Sequence, residues 1–303
     1  MMRLILALAS ALILSVATGC QPTTTDTRPH IVVTYAVLGS LVKELVGDAA
    51  RVTISVPNGL DPHEWEPSAR DIEAINRSDL VVQNGLGLEG GLEKALAEAQ
   101  KRGVKFFTAT DYVEVRHVGE GEGVSAGDPD QQTGAPDPHL WTDPLTMKRV
   151  FEALAREIKN ALGLDVASRA AELATRFDRL NDDITSLVAA IPQANRKLVT
   201  GHESLGYFAR RYNFHLIGAI IPGLSSQAEV SAADLAALKQ VILENQVKVV
   251  FTELGTPAAV AAAVSRETDA WLVEINTHLV PEDGSYFTLM LNLAETIVEA
   301  LKY

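Results

Sequence analysis

The chain has 303 residues, 47% of them apolar, with a formal net charge of −13 and a pI near 5.0. That charge argues against nucleic acid or an anionic membrane surface as a partner, while the length and apolar share suffice for two cores of ordinary size. The single cysteine, Cys20, excludes a disulfide within the chain, so the fold must rest on its core alone.

The first predicted element is an export signal. Met1-Met2-Arg3 precedes an apolar run over 4–16 that is too short for a spanning helix and ends in small residues. Ala17-Thr18-Gly19-Cys20 follows and resembles a bacterial lipobox, with Ala17 where Leu is usual. Residues 1–19 therefore read as a signal peptide and Cys20 as the site of a lipid anchor. Residues 20–29, rich in Thr and Pro, read as a flexible tether. The mature chain is expected to be exported, either lipid-anchored on the extracytoplasmic face of a membrane or periplasmic.

From residue 30 strands and helices alternate. Strands are predicted over 30–35, 51–56, 80–83 and 104–108, and helices over 37–46, 68–77 and 93–102. Ser68 is a suitable N-cap, with Asp71 at the third helical position. A loop rich in Gly, Asp and Gln covers 119–138, and a helix covers 144–162. Residues 165–190 carry helical apolar spacing for about seven turns. Strands then recur at 197–200, 215–220, 248–252 and 270–275, with helices at 205–212, 232–245, 257–267 and 286–301. The rhythm is that of parallel strands with crossover helices. The expected fold is α/β, with two lobes (30–164 and 192–303), each a mainly parallel sheet flanked by helices. One long linking helix (165–191) joins them.

The pattern Asp-Pro-His-x-Trp occurs twice, as Asp61-Pro62-His63-Glu64-Trp65 and Asp137-Pro138-His139-Leu140-Trp141, in a chain with only three Trp and seven His. Proline fixes its own φ and holds the preceding residue extended, so each Asp-Pro stiffens the loop that presents the imidazole. Imidazole is the commonest metal ligand. His202 and His278 each fall just past a predicted strand of the second lobe, where open α/β sheets bind ligands. Four imidazoles, two per lobe, can thus converge on one ion. His30, His117 and His215 lie in the tether region, at the edge of the variable loop and within a strand, and are not expected to take part.

These motifs make the chain resemble the solute-binding lipoproteins of the zinc/manganese ABC transporter family. The likeness covers nearly all of the mature chain. It rests on Pro62-His63-Glu64-Trp65-Glu66-Pro67, on Asp137-Pro138-His139-Leu140-Trp141-Thr142-Asp143-Pro144 and on Gly201-His202-Glu203-Ser204-Leu205-Gly206-Tyr207-Phe208. Phe251-Thr252-Glu253 and Ser285-Tyr286 complete it. The resemblance implies a monomeric, non-enzymatic receptor that holds one metal between its lobes and works with a membrane permease and its ATPase. The ligands it implies are His63, His139 and His202, with one more from the second lobe. In the family that fourth ligand is often Asp; here Thr277-His278 occupies the stretch, which leaves His278, Asp283, Glu274 or water. An imidazole set suits Zn2+ better than Mn2+. Glu64, Glu66, Asp143, Glu203 and Glu253 are candidates to orient the imidazoles.

Two further expectations follow from the residues. A site of three or four His should release zinc steeply below the imidazole pKa of about 6.5. The loop 277–285, with Pro281 and Gly284 and no periodic pattern, is expected to be mobile and to carry His278 as a movable ligand. The competing class is a secreted zinc hydrolase with Glu64 or Glu203 as its base, though no His-Glu-x-x-His helix is present.

Overall fold

The computed structural model describes residues 26–119, 122 and 133–303. The signal peptide, Cys20, most of the tether and most of the loop 119–138 lie outside these residues.

β1 (His30–Tyr35) is buried along its whole length. A strand apolar on both faces belongs in the middle of a parallel sheet. It lies there, between β2 (Arg51–Val56) and β3 (Leu80–Gln83), with β4 (Phe106–Thr108) beyond β3. All three pairings are parallel, and Ile31 sits opposite both Val52 and Leu80. The crossovers are α1 (Ala36–Val46), α2 (Ala69–Asn76) and α3 (Glu93–Lys101). α2 begins with a capping box: Asp71 N donates to Ser68 Oγ at 3.4 Å, and Ser68 N donates to the Asp71 carboxylate at 2.8 Å.

α4 (Pro144–Leu162) ends at Gly163, whose positive φ of 72° turns the chain into α5 (Ala167–Val188). α5 is the linking helix, 22 residues long, or about 33 Å at helical rise. Leu173, Phe177, Leu180, Ile184 and Val188 form its single buried stripe.

In the second lobe β5 (Lys197–Thr200) pairs with β6 (His215–Ala219), and β7 (Val249–Thr252) pairs with β8 (Trp271–Glu274), each pair parallel. β5 and β7 lie side by side but share no ladder, so the lobe holds two parallel pairs in place of one continuous sheet. Its helices are α6 (Gly206–Tyr212), α7 (Ala232–Glu244), α8 (Ala258–Thr268) and α9 (Tyr286–Leu301). No described helix is long and apolar enough to cross a membrane.

Strand alternation divides the core. Leu198, Val249 and Phe251 face one way and Val199 and Val250 the other. The second face closes a small core with Ile220, Ile242 and Val264 beneath α7 and α8. The first joins a much larger core that runs without interruption through α9, α5 and α4 to β1 and β3. Phe177 of α5 is its pivot, with ring centres 6.1 Å from Phe151, 5.7 Å from Tyr286 and 5.2 Å from Phe287. The lobes therefore share an apolar floor, and wide hinge opening would expose it at roughly 25 cal/mol per Å2. Phe177→Ala should cost about 3–5 kcal/mol in urea unfolding, with one transition for the whole chain. Two separate transitions, one per lobe, would contradict a shared core.

Candidate metal centre

Both Asp-Pro-His turns are built alike. Asp61 Oδ1 accepts from His63 N at 2.9 Å, and Asp137 Oδ1 accepts from His139 N at 2.9 Å. With the intervening proline these Asx turns set the aim of each imidazole. Beyond the turn the copies diverge. Trp141 is fully buried, packs at a tilt against Tyr35 and edge-on against His139, and donates Nε1–H to Thr277 O at 2.9 Å. Trp65 is half-buried at the edge of the core.

The order β2-β1-β3-β4 places a switch point between β1 and β3, where a ligand crevice forms. Asn84 stands at that point, just past β3. It accepts from Tyr35 Oη at 3.1 Å and donates to Pro138 O at 2.8 Å, which pins the loop of His139.

From the other side, β5 delivers His202 and β7 delivers Glu253. Glu253 Oε1 accepts from His202 Nδ1 at 3.0 Å and from His202 N at 3.1 Å. Ser204 Oγ donates to the same carboxylate at 2.8 and 2.9 Å, and Thr277 Oγ1 donates to Oε2 at 2.8 Å. Gly201 makes room for this cluster: a Cβ there would overlap Thr256 Oγ1 and lie 2.9 Å from Glu253 Cγ.

Three imidazoles meet between the lobes. His139 Nε2 is 3.3 Å from His63 Nε2 and 3.3 Å from His202 Nε2, and all three side chains are buried. Their ligand atoms lie within 4.8 Å of one another, a spacing that can hold one metal ion. His278 stands beside this triangle and not within it, its ring centre 6.1 Å from that of His202 and nearly parallel to it. The proton of the Thr277 hydroxyl is committed to Glu253, so its oxygen accepts from His278 Nδ1 at 2.7 Å. That leaves His278 Nε2 bare, buried and without a partner. His139 Nδ1 is tied to Asp137 Oδ1 at 2.9 Å. In His139, His202 and His278 alike, then, Nδ1 is occupied and Nε2 is the nitrogen left for a metal.

Charge follows from these contacts. Burial, with three neighbouring imidazoles, holds the His63 pKa well below the ordinary histidine value. Burial also pushes His278 down to about 4, against the pull of Glu253. Burial would lower His202 too, but the Glu253 carboxylate overrides it and the His202 pKa is raised. Burial would raise Glu253, but His202 brings it down to about 2.

Several expectations change. Asp283 is exposed and accepts from Ser285 N at 3.0 Å and Thr288 Oγ1 at 2.6 Å at the head of α9, and Glu274 is exposed on β8. Neither reaches the imidazoles. Glu64 and Glu66 point to solvent. Asp143 caps α4 and pairs with Arg211 at 2.7 Å. Glu203 is buried and pushed up to about 8 by burial, with Oε1 unpartnered. Of the five proposed carboxylates only Glu253 holds a histidine. Asp137, Thr277 and Asn84 were missed, although Asp137 stands in the repeated motif and Thr277 directly precedes His278. The 277–285 loop is tied to the rest of the protein at Thr277 and Val280. Asn58 bonds both Val280 N and Val280 O at 2.8 Å, and Trp141 holds Thr277 O. A groove of about 1000 Å3 opens beside this loop, lined by Ser40, Lys43, Arg176 and Pro281, with no histidine in its wall.

Comparison with known proteins agrees with this geometry. The family described as ZnuA, zinc-uptake complex component A periplasmic, matches residues 31–300. The manganese-binding lipoprotein MntA of Halalkalibacterium halodurans is 25% identical over 299 residues, covering 94% of each chain. The zinc-binding lipoprotein AdcA of Streptococcus pneumoniae is 28% identical over 313 residues, covering all of this chain but only 61% of AdcA. Among solved structures, the periplasmic zinc-binding protein TroA of Treponema pallidum superposes with a TM-score of 0.75 at 23% identity, covering 90% of this chain and 99% of TroA.

The pKa directions alter the expected pH response. His63 and His278 stay neutral well below the ordinary histidine range, while His202 takes up a proton above it. As pH falls through that raised value, a proton competes with metal at His202 first. Metal binding at about pH 5.5, where an ordinary imidazole of pKa about 6.5 is mostly protonated, should therefore release fewer protons than there are imidazoles, measured by calorimetry in buffers of different ionisation enthalpy. Release of one proton per imidazole at that pH would mean that they titrate as free histidines.

Proposed function

This chain belongs to the ZnuA family of zinc-uptake components, and on that footing we propose that it is the zinc-capturing receptor of an ABC importer. It takes one Zn2+ as cargo between its lobes on the extracytoplasmic side and gives it to a membrane permease driven by its ATPase. His63, His139 and His202 form the base of the site, and His278 supplies the fourth nitrogen. Cys20 carries the lipid anchor that keeps the receptor at the membrane.

The observation that supports this reading is the convergence of the buried Nε2 atoms of His63, His139 and His202, with the unpartnered Nε2 of His278 beside them. Zinc takes four ligands tetrahedrally with Zn–N of about 2.0–2.1 Å, and an ion among these nitrogens replaces their mutual contacts at 3.3 Å. The donor set favours zinc over manganese. Manganese prefers oxygen ligands, and the two carboxylates bonded to these imidazoles are occupied, Glu253 by donors from His202, Ser204 and Thr277 and Asp137 by His139. Relatives carrying zinc and manganese names both occur, so the nitrogen set is what separates the two readings.

Apo-protein titrated against a chromophoric chelator should bind one tight zinc per chain, and excess manganese should not displace it. Two tight zinc ions, or displacement by stoichiometric manganese, would overturn the assignment.

A further inference from the structure

The stems of the loop 119–138 pair across a short two-stranded ribbon. Asp137 N donates to Arg116 O at 2.8 Å, Val118 N to Ala135 O at 2.9 Å and Gly134 N to Val118 O at 2.8 Å. Arg116 thereby lies opposite Asp137, two residues before His139. Its side chain is only 6% exposed and that of Asp137 is fully buried. Arg116 Nη1 donates to Asp137 Oδ2 at 3.0 Å, and its other terminal nitrogen pairs with Glu122 at the root of the loop. The opposite oxygen of Asp137 takes both the backbone N–H and the Nδ1–H of His139, each at 2.9 Å. One carboxylate thus joins a guanidinium to a candidate ligand, each through its own oxygen.

The second lobe closes over this pair. Tyr207 Oη accepts from Arg116 N at 2.9 Å. Gly206, at the head of α6, sits so close that a Cβ there would overlap both Asp137 Oδ2 and Arg116 Nη1. A buried ion pair needs this geometry, because each charge has lost its water and keeps its place only through its partner. The seat is formed by residues of both lobes, so separating the lobes removes one wall of it.

We propose that Arg116 is a positioning residue for the metal site: it holds Asp137 against His139 while Gly206 and Tyr207 cover the pair, so that the approach of the lobes is transmitted to the aim of His139. The inference rests on the zinc-receptor reading above. It also gives the glycine in the His202-Glu203-Ser204-Leu205-Gly206 segment a specific role, which is to leave room for the pair.

The test compares wild type with Arg116→Met, Arg116→Lys and Gly206→Ala, each loaded separately with zinc and with cobalt. Arg116→Met should weaken zinc binding by roughly 10–100-fold, the usual effect of losing a group that orients a ligand, and should speed release. Its Co2+ ligand-field spectrum should change in shape, because the His139 ring is no longer fixed. Arg116→Lys, which keeps the charge but not the planar fork, should recover part of the affinity. Gly206→Ala keeps every charge and only presses on the pair, and it should shift the cobalt spectrum in the same sense; it also carries the test should Arg116→Met fail to fold. Zinc affinity and cobalt spectra that match wild type in Arg116→Met and Gly206→Ala, whatever the melting temperatures, would overturn the proposal and leave Arg116 a structural residue. A wild-type chain without a tight zinc site would overturn the receptor reading itself, and the wild-type arm reports that separately.

Discussion

An imidazole can bind a metal only through a nitrogen that carries no proton, and a histidine left to itself divides its proton between two nitrogens. The structure removes that freedom by giving Nδ1 a fixed acceptor. Glu253 does this for His202 directly and for His278 through the Thr277 hydroxyl, and Asp137 does it for His139. A buried carboxylate is costly unless its lone pairs are filled, and Glu253 is filled by side-chain donors from His202, Ser204 and Thr277 and by the backbone of His202. Other features answer to the same need. Gly201 keeps a side chain out of the carboxylate's space, and β7 ends where the acid must stand.

The shared core sets what the site can do next. Because α4, α5 and α9 bind both lobes into one apolar floor, the lobes cannot part widely without wetting it. Smaller motions near the rim leave that floor dry. Asp61 to Ser226 at 2.6 Å and Trp141 to Thr277 are buried straps on that side, and Asn58 to Val280 is a part-buried one. The part-buried pair can exchange with water at modest net cost, in contrast to the Phe177 cluster beneath. A receptor that holds an ion tightly and still surrenders it needs this division between a rigid floor and a polar, breakable rim.

Much of this architecture was legible in the sequence. The strand 30–35 holds an unbroken β-branched run over 31–34, the helix 144–162 carries its period for five turns, and Ser68 with Asp71 marks a helix start by chemistry alone. The family resemblance and the convergence of His63, His139 and His202 came from motif and position together. Orientation in space was not legible. Glu64 and Glu66 neighbour a histidine in sequence but face solvent, whereas Glu253 lies 51 residues from His202 and bonds it. Glu253 nonetheless ends an apolar strand, where a bare acid is costly. Asp137 was read as a residue that stiffens a turn, and its second oxygen lone pair went unused in that reading. The 277–285 loop lacks periodicity, so the ties that Asn58 and Trp141 make to Val280 and Thr277 had no signal in the sequence.

If nitrogen alone holds the ion, with His278 completing the set, zinc K-edge X-ray absorption on the one-to-one complex should show four nitrogen neighbours at about 2.0–2.1 Å. The multiple-scattering pattern should be that of four imidazoles, falling to three imidazoles in His278→Ala. A shell containing a carboxylate oxygen in the wild type, or a spectrum unchanged by His278→Ala, would contradict it.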